Sequence, residues 1–494
     1  MARALMFVGT CSNSGKSFLT AATCAYLRAE GVDAAPFKSQ NMSLNSYVAV
    51  EGGEIAVAQA FQARLAGLEP SVHHNPVLLK PKGEFKSEVI VHGRPLDTMS
   101  YSEYREIVLE EPWQAVLESI ELLTEEHEVI VAEGAGSPAE INVMDTDIAN
   151  MRVAEELGAD VIIVADISRG GAFAAVYGTY ELLPERWKRL VKGFVFNKFL
   201  GDESLLKPGI EFLEEKLGIR HLGTLGYVED FWMPWEDSEA LREHVPGSGN
   251  VEIAVVRLPR IANFTDFEPL AMEPGVRLEF VDPKDSLPED ADAVVIPGSR
   301  TTVLDLEELE RHGVTDEIKS YARDGGIVVG VCGGYQMLGE ELVDMTGEEA
   351  DPEEPVEGIG LLPVKTVFPN APKVTVRSEG EVVHPELGGV RVEGFEIHVG
   401  RTESEAEPFS VLEKGYGNAG DGRDGAVSWD GRVFGTYLHG LFFNRRFRWR
   451  FLRWVSGGRW RPPGRDVVKE AFERNLEVAR KALSSTEIPE LLGV

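Results

Sequence analysis

Two stretches of this 494-residue sequence place reactive residue types at spacings that can do chemistry. The first runs Gly9-Thr10-Cys11-Ser12-Asn13-Ser14-Gly15-Lys16-Ser17. Backbone N–H groups in such a loop can cradle phosphates at a helix N-terminus, Lys16 can pair with β- and γ-oxygens, and the Ser17 hydroxyl can hold Mg2+. Five residues separate the two glycines because Thr10 stands where the first glycine of the usual spacing is expected. Glu133 closes the apolar run VIVAE and Asp166 closes VIIVAD, so either acid sits where an open sheet puts its ligands and either can supply a second Mg2+ contact. The second stretch is GIVVGVCGGYQMLG, in which Cys332 ends an apolar strand and precedes two glycines and a helix. A strand-to-helix elbow of this kind exposes a nucleophile, and a helix N-terminus lowers a thiol pKa from about 8.5. Gly333 and Gly334 permit the tight turn and let backbone donors face an oxyanion. A base for Cys332 must come from elsewhere, with His439 in GTYLHGLF the best candidate and His398 in GFEIHVG its rival. Cys11 and Cys24 lack such a context and read as structural.

The elements that must position these residues alternate in type. Leu5–Val8 reads as a buried strand, and FLTAATCAYLRAE after Ser17 has helical spacing and stops before Gly31. Apolar runs at Val129–Ala132, Val161–Ala165 and Val191–Phe196, with helix-like stretches such as IANMRVAEELG between them, predict a parallel sheet with crossover helices. The apolar signal lapses around 235–250, where Pro246, Gly247 and Gly249 accumulate. A second series then begins, with strands expected at Ile253–Leu258, Val276–Val281, Ala293–Ile296 and Ile327–Val331, followed by shorter β-rich segments over 358–435 and a polar helix in DVVKEAFERNLEVARKAL. The fold class is α/β: two doubly wound, mostly parallel-sheet domains at 1–247 and 248–455, with a short helical tail at 456–494.

Composition narrows the function classes. Forty-nine basic against 82 acidic residues give a net charge of −33, which opposes approach to nucleic acid or an anionic membrane. Acidic runs such as EDSEALREH and TGEEADPEEPVEG read as solvated surface. No segment reaches the length of a membrane span and no export signal opens the sequence, so a cytoplasmic location is expected. Three scattered cysteines fit a reducing compartment.

The segments FKSQNMSLNSYV, EGGEIAVAQAFQARLAGL, HNPVLLKP, VIVHG, EGAGSPAEIN, DIANM and ISRGGAFAAVYGT occur in that order and together closely resemble the cobyric acid synthase family of cobalamin biosynthesis. The resemblance implies an ATP-dependent ligase domain related to dethiobiotin synthetase, with Thr10 to Ser17, including Ser14, Gly15 and Lys16, as its phosphate loop and Ser17 and Glu133 as Mg2+ ligands. Relatives with that fold often have an aspartate soon after the second strand, where this chain has Lys38, Gln40 and Asn41. With Asn45, these are expected on a polar loop that holds corrinoid side chains or the transferred phosphate. Asn197 and Lys198 resemble the adenine-reading position of the fold.

The Cys332 elbow and the two histidine segments resemble a class I glutamine amidotransferase domain, which implies Cys332 as nucleophile, His439 as base and Gly298 as the other oxyanion donor beside Gly333. Leu441 stands where many such domains have the glutamate of the triad, leaving the third member absent or supplied from elsewhere, with Glu396 an option. The implied reaction uses glutamine and ATP to amidate the b, d, e and g carboxylates of adenosylcobyrinic acid a,c-diamide. The implied partners are glutamine and a corrinoid, with no nucleic acid or membrane, and a homo-oligomer is compatible with the sequence. The nearest alternative is cobyrinic acid a,c-diamide synthase, which amidates two other carboxylates. A nucleotide-switched ATPase of the septum-site and partition type is a further one, but Cys11 occupies the position of its extra lysine.

Overall fold

A computed structural model describes residues 2–82, 85–236, 241, 247–347 and 354–493. Of the two acidic runs expected on the surface, 237–240, 242–244 and 348–353 fall outside these described residues. Contacts group residues 1–43, 49–234 and 469–494 into one unit, and 44–48 and 235–468 into a second. The second unit therefore begins at Trp235, ahead of the boundary expected at 248, and the expected tail divides. Among the described residues no helix is long and apolar enough to cross a membrane.

The first unit is built on a six-stranded parallel sheet in the order Arg220–Gly226, Val191–Phe199, Asp160–Asp166, Arg3–Gly9, Val129–Glu133, Ala34–Phe37. Its strands are continuous apolar runs because both faces are covered. Leu5, Phe7, Val129, Val131, Ile162 and Val164 enter one core, and their alternate neighbours Met6, Val8, Ile130, Ala132, Val161 and Ile163 enter the other. On the first face lie Leu19 and Cys24 of the helix Lys16–Ala29, together with Ala479 and Leu483 of the helix Val467–Leu483. That burial is why residues 469–494 join this unit: the tail helix packs on the same side of the sheet as the first helix. Burial also pushes the Cys24 thiol far above its usual pKa, as a structural cysteine requires. A four-stranded side sheet, Gln40–Met42, Val77–Pro81, Lys86–Val91 and Arg94–Ser100, flanks the unit. Gln40 and Asn41 thus lie on a short strand paired with Val77–Leu79, not on the expected loop.

The second unit has a six-stranded sheet in the order Gly275–Val281, Gly249–Val256, Ala293–Ile296, Val328–Val331, Val433–Thr436, Ala426–Val427, parallel except for the last strand. Two four-stranded sheets drawn from residues 341–424 provide the expected β-rich region. Cys332 and His439 follow the neighbouring strands Val328–Val331 and Val433–Thr436, so both reach the carboxyl edge of the sheet.

The chain beyond His439 is anchored by Arg448 on the helix Arg445–Val455. Its guanidinium, fully buried, donates to Glu273 at 2.7 Å, the Phe442 carbonyl at 2.8 Å and Asp466 at 3.0 Å. It thereby ties the segment carrying His439 to the segment that follows Asp266. Removing one partner of a buried ion pair leaves an uncompensated charge. Arg448→Ala is expected to destabilise the second unit by about 3–5 kcal/mol, measured as a lowered urea midpoint for that unit; an unchanged midpoint would show that the pair does not hold this region.

Candidate functional site

Cys332 occupies the elbow between its strand and the helix Gly333–Met337 with φ 51° and ψ −107°, a conformation that side chains rarely adopt. Two backbone bonds hold it there: its N–H donates to the Thr436 carbonyl at 2.8 Å, and its carbonyl accepts from the Gln336 N–H at 3.1 Å. The turn has no room for side chains. A Cβ on Gly334 would lie 2.0 Å from the Ile296 carbonyl oxygen, and one on Gly333 would lie 2.8 Å from the Ser299 nitrogen. Gly298 precedes that serine, and a Cβ there would sit 3.3 Å from His439 Cε1. The structure therefore brings together Cys332, Gly333, Gly298 and His439.

The His439 imidazole, 1% exposed, lies within hydrogen-bonding reach of the Cys332 sulfur and stacks on Phe395 with ring centroids 5.4 Å apart. Its Nδ1–H donates to Asp266 Oδ2 at 2.7 Å, and the other Asp266 oxygen accepts the Gly440 N–H at 2.8 Å. Burial works against charge on the ring, but the Asp266 carboxylate and the neighbouring Cys332 sulfur outweigh it and push the imidazole up to about 10. Such a ring can take the thiol proton at Nε2 and return it to a leaving amine.

Asp266 is the site residue that the sequence reading missed. It corrects the option of Glu396, whose carboxylate accepts from Ser378 Oγ at 2.5 Å and from the Tyr416 and Gly417 N–H groups at 2.8 Å, and lies 3.5 Å from His398 Nε2. His398 itself donates its Nδ1–H to the Gly400 carbonyl at 2.8 Å and stacks on Tyr437 at 3.8 Å. The rival histidine is thus fixed in a separate buried pair. Asp266 sits in ANFTDFEPL, where an acid before a short helix reads as a cap. Nothing local links it to a histidine so far along the chain.

In the first unit the phosphate loop is closed by its own lysine. Lys16 Nζ donates to the Cys11 carbonyl at 3.2 Å and the Gly136 carbonyl at 3.1 Å, and the Thr10 N–H donates to Val164 at 2.9 Å. Gly15 has φ 102°, and a Cβ there would lie 1.9 Å from Asn197 Nδ2. Asn197 Nδ2 donates to the Ser14 carbonyl at 3.1 Å, so its amide braces the loop. Lys198 bridges the Asn13 carbonyl and Asp166, at 2.7 and 2.9 Å. Burial opposes ionisation of Asp166, but bonds from Ser168 and Lys198 hold its carboxyl below the usual range.

Glu133, 1% exposed, accepts Gln59 at 2.8 Å and Gln62 at 3.3 Å, with Lys38 Nζ at 3.4 Å. Asn41 donates to Gln59 at 2.8 Å, and Gln40 accepts the Tyr104 hydroxyl, so Lys38, Gln40 and Asn41 all lie near this acid or at the cavity beside it. Asn45 does not join them: it belongs to the second unit and donates to the Trp235 carbonyl at 2.9 Å. Glu133 Oε2 is buried and has no hydrogen-bond partner among the described residues. Gln62 also reaches the Ser17 carbonyl at 3.4 Å, placing Ser17 beside this acid. An orphaned carboxylate oxygen next to a phosphate-loop serine fits a Mg2+ ion that takes its remaining ligands from phosphate and water. Among the described residues no group of three or more His, Cys, Asp and Glu could hold a metal by itself. A cavity of about 560 Å³ opens on the loop and is lined by Thr10, Gln40, Tyr104, Arg105, Asn150 and Arg169.

If Asp266 is what favours the charged ring, Asp266→Asn is expected to lower the His439 titration midpoint by about one unit or more. Histidine ring NMR reads this directly, and an unmoved midpoint would assign the raised affinity to other groups.

A family model described as the CobQ/CobB/MinD/ParA nucleotide binding domain matches residues 5–236, and one described as the CobB/CobQ-like glutamine amidotransferase domain matches residues 252–447. A protein of Methanopyrus kandleri named a probable cobyric acid synthase is 73% identical over 99% of this chain and 99% of its own. One of Methanothermobacter thermautotrophicus with the same name is 47% identical over 90% of this chain and 89% of its own. A cobyric acid synthase of Pelotomaculum thermopropionicum is 47% identical over 100% of this chain and 97% of its own. With a nucleotide-binding half, a glutamine amidotransferase half and relatives of this identity along its full length, the chain belongs to the cobyric acid synthase family.

Proposed function

We propose that this chain is a glutamine-hydrolysing ligase that converts adenosylcobyrinic acid a,c-diamide to adenosylcobyric acid, amidating the b, d, e and g carboxylates at the expense of ATP. The observation that carries this reading is that a chain aligned end to end with cobyric acid synthases has both a phosphate loop closed by Lys16 and a Cys332–His439 pair oriented by Asp266.

In the second unit, the Cys332 sulfur attacks the side-chain amide carbon of glutamine. The N–H groups at Gly333 and Gly298 receive the oxyanion, and His439 protonates the departing ammonia. Water deprotonated by His439 then cleaves the thioester to glutamate and restores the thiol. Asp266 keeps Nδ1 protonated, so that Nε2 faces the sulfur throughout.

In the first unit, a free carboxylate is a poor electrophile and must be activated. Its oxygen attacks the γ-phosphorus of ATP, ADP leaves, and ammonia displaces phosphate from the acyl carbon to form the amide. Thr10, Ser14, Gly15 and Lys16 hold the phosphate chain, with Asn197 bracing the loop. Ser17 and Glu133 would hold Mg2+, which supplies charge neutralisation on the phosphates when bound. Lys38, Gln40 and Asn41 face the acid or phosphate being transferred. Arg105 and Arg169 at the cavity suit a substrate that carries several carboxylates.

The test is mass spectrometry of the corrinoid product after incubation with ATP, Mg2+ and amide-¹⁵N glutamine, with four labelled amides expected. Two amides at other positions, or no labelled product, would overturn the assignment. Cys332→Ser is expected to lower glutamine-supported amidation by about 10³-fold or more while leaving ammonia-supported amidation in place. Lys16→Ala is expected to abolish both. Loss of both activities in Cys332→Ser would contradict the division of labour.

A further inference from the structure

The strand Val433–Thr436 ends just short of His439, and a carboxylate from elsewhere in the second unit turns the chain there. Asp424, fully buried on the short strand Arg423–Asp424, accepts the Thr436 hydroxyl at 2.6 Å and the Ser410 hydroxyl at 2.9 Å on Oδ2, and the Tyr437 N–H at 2.8 Å on Oδ1. The Thr436 hydroxyl, its own proton spent on Asp424, accepts the Leu438 N–H at 3.0 Å. One carboxylate thus holds Thr436, Tyr437 and Leu438 in succession, and the next residue is His439. Its N–H donates to the Phe395 carbonyl at 2.9 Å and its carbonyl accepts the Phe395 N–H at 3.1 Å.

The same residues reach the nucleophile. The Thr436 carbonyl is the acceptor that holds the Cys332 N–H, at 2.8 Å, while Cys332 keeps its φ of 51°. The Tyr437 hydroxyl accepts from Gln336 Nε2 at 3.1 Å, and the Gln336 N–H donates to the Cys332 carbonyl at 3.1 Å. Both peptide groups of the nucleophile are therefore tied to the segment that Asp424 holds, one directly and one through Gln336.

A buried carboxylate is a costly way to fix a turn. Burial and the charge on Glu396, from the strand Val390–His398, push the Asp424 carboxyl up to about 7 against its three donors. Burial keeps the nearby phenols of Tyr335 and Tyr437 protonated, and it keeps His398, beside Glu396, neutral. Above pH 7 the charged group therefore lowers stability. A neutral amide would still accept the Tyr437 N–H, but its NH₂ would face the hydroxyls that now donate to the carboxylate. What the charge secures is the direction of these donors at one point.

We infer that Asp424 is a positioning residue of the glutamine site: through Thr436 and Tyr437 it sets the Cys332 elbow and the turn to His439 in one register. Sulfur and imidazole then stay within reach of the proton they share. Asp424 acts through these residues and not on the substrate. The inference rests on the proposed function for the roles of Cys332 and His439.

The experiment uses the full chain with ATP, Mg2+ and corrinoid, and measures kcat and KM for glutamine hydrolysis, ammonia-supported amidation and the urea midpoint of the second unit. Asp424→Asn and Thr436→Val are each expected to lower kcat by about 10²-fold, the cost of a misplacement of about 1 Å, with KM and ammonia-supported amidation unchanged. Above pH 7 the Asp424→Asn midpoint is expected to hold or rise, since the variant removes a charge that burial opposes. A merely structural role requires it to fall with the activity. Thr436→Ser keeps the hydroxyl and is expected to retain the wild-type kcat. The double variant is expected to lose little more than either single one, because both cut one link. An unchanged kcat in Asp424→Asn, a loss carried by KM, a midpoint that falls with activity, or losses that multiply in the double variant would overturn the inference while leaving the proposed function standing. Equal kcat in Thr436→Val and Thr436→Ser would overturn it as well, and decides the matter should Asp424→Asn fail to fold. Wild type that never hydrolyses glutamine would sink the proposed function, and this inference with it.

Discussion

The second unit depends on one short hydrogen bond, 2.7 Å from His439 Nδ1 to Asp266. A buried imidazole left alone would stay neutral with either tautomer open to it. The carboxylate selects the tautomer that directs Nε2 toward sulfur and reverses the effect of burial on proton affinity. Much of the surrounding architecture serves that pair. Arg448 ties the segment after His439 to the segment after Asp266, Phe395 limits the ring to one plane, and a Cβ on Gly394 would collide with the His439 carbonyl oxygen at 2.1 Å. The strained backbone of Cys332 persists because Thr436 and Gln336 hold both of its peptide groups.

The first unit follows a different logic. Its phosphate loop is braced through carbonyls: Lys16 holds those of Cys11 and Gly136, and Asn197 and Lys198 hold those of Ser14 and Asn13. A nucleotide would displace the lysine from carbonyls at little cost, since phosphate oxygens are stronger acceptors for an ammonium. The buried Glu133 with an orphaned oxygen is the opposite case, a group that only a ligand or water can complete. Preformed donors and one unfinished carboxylate are together what a phosphoryl-transfer site needs.

What could be read from residues alone was what local sequence determines. Central strands buried on both faces must be continuous apolar runs, so Ala293–Ile296 was legible to the residue and Arg3–Gly9 nearly so. The Cys332 elbow was legible because glycines, strand and helix adjoin it. Gln40–Met42 was not, because a three-residue strand exists only through its partner Val77–Pro81. Asp266 was hidden for the same reason, since its partner is brought near by the sheet and not by the chain. Helix Val467–Leu483 was legible as a helix, but its few apolar positions did not reveal that they cover the first unit's sheet. Asn45 was grouped with its sequence neighbours, whereas the fold sends it to the other unit.

The central claim is that the Cys332 sulfur, activated through His439 and Asp266, carries the glutamyl group. Rapid acid quench of the enzyme turning over radiolabelled glutamine, followed by peptide mapping, tests this most directly. The account predicts label on the peptide containing Cys332, released by hydroxylamine as a thioester is. Hydrolysis proceeding at full rate with no covalent label, or with label on a peptide lacking Cys332, would contradict it.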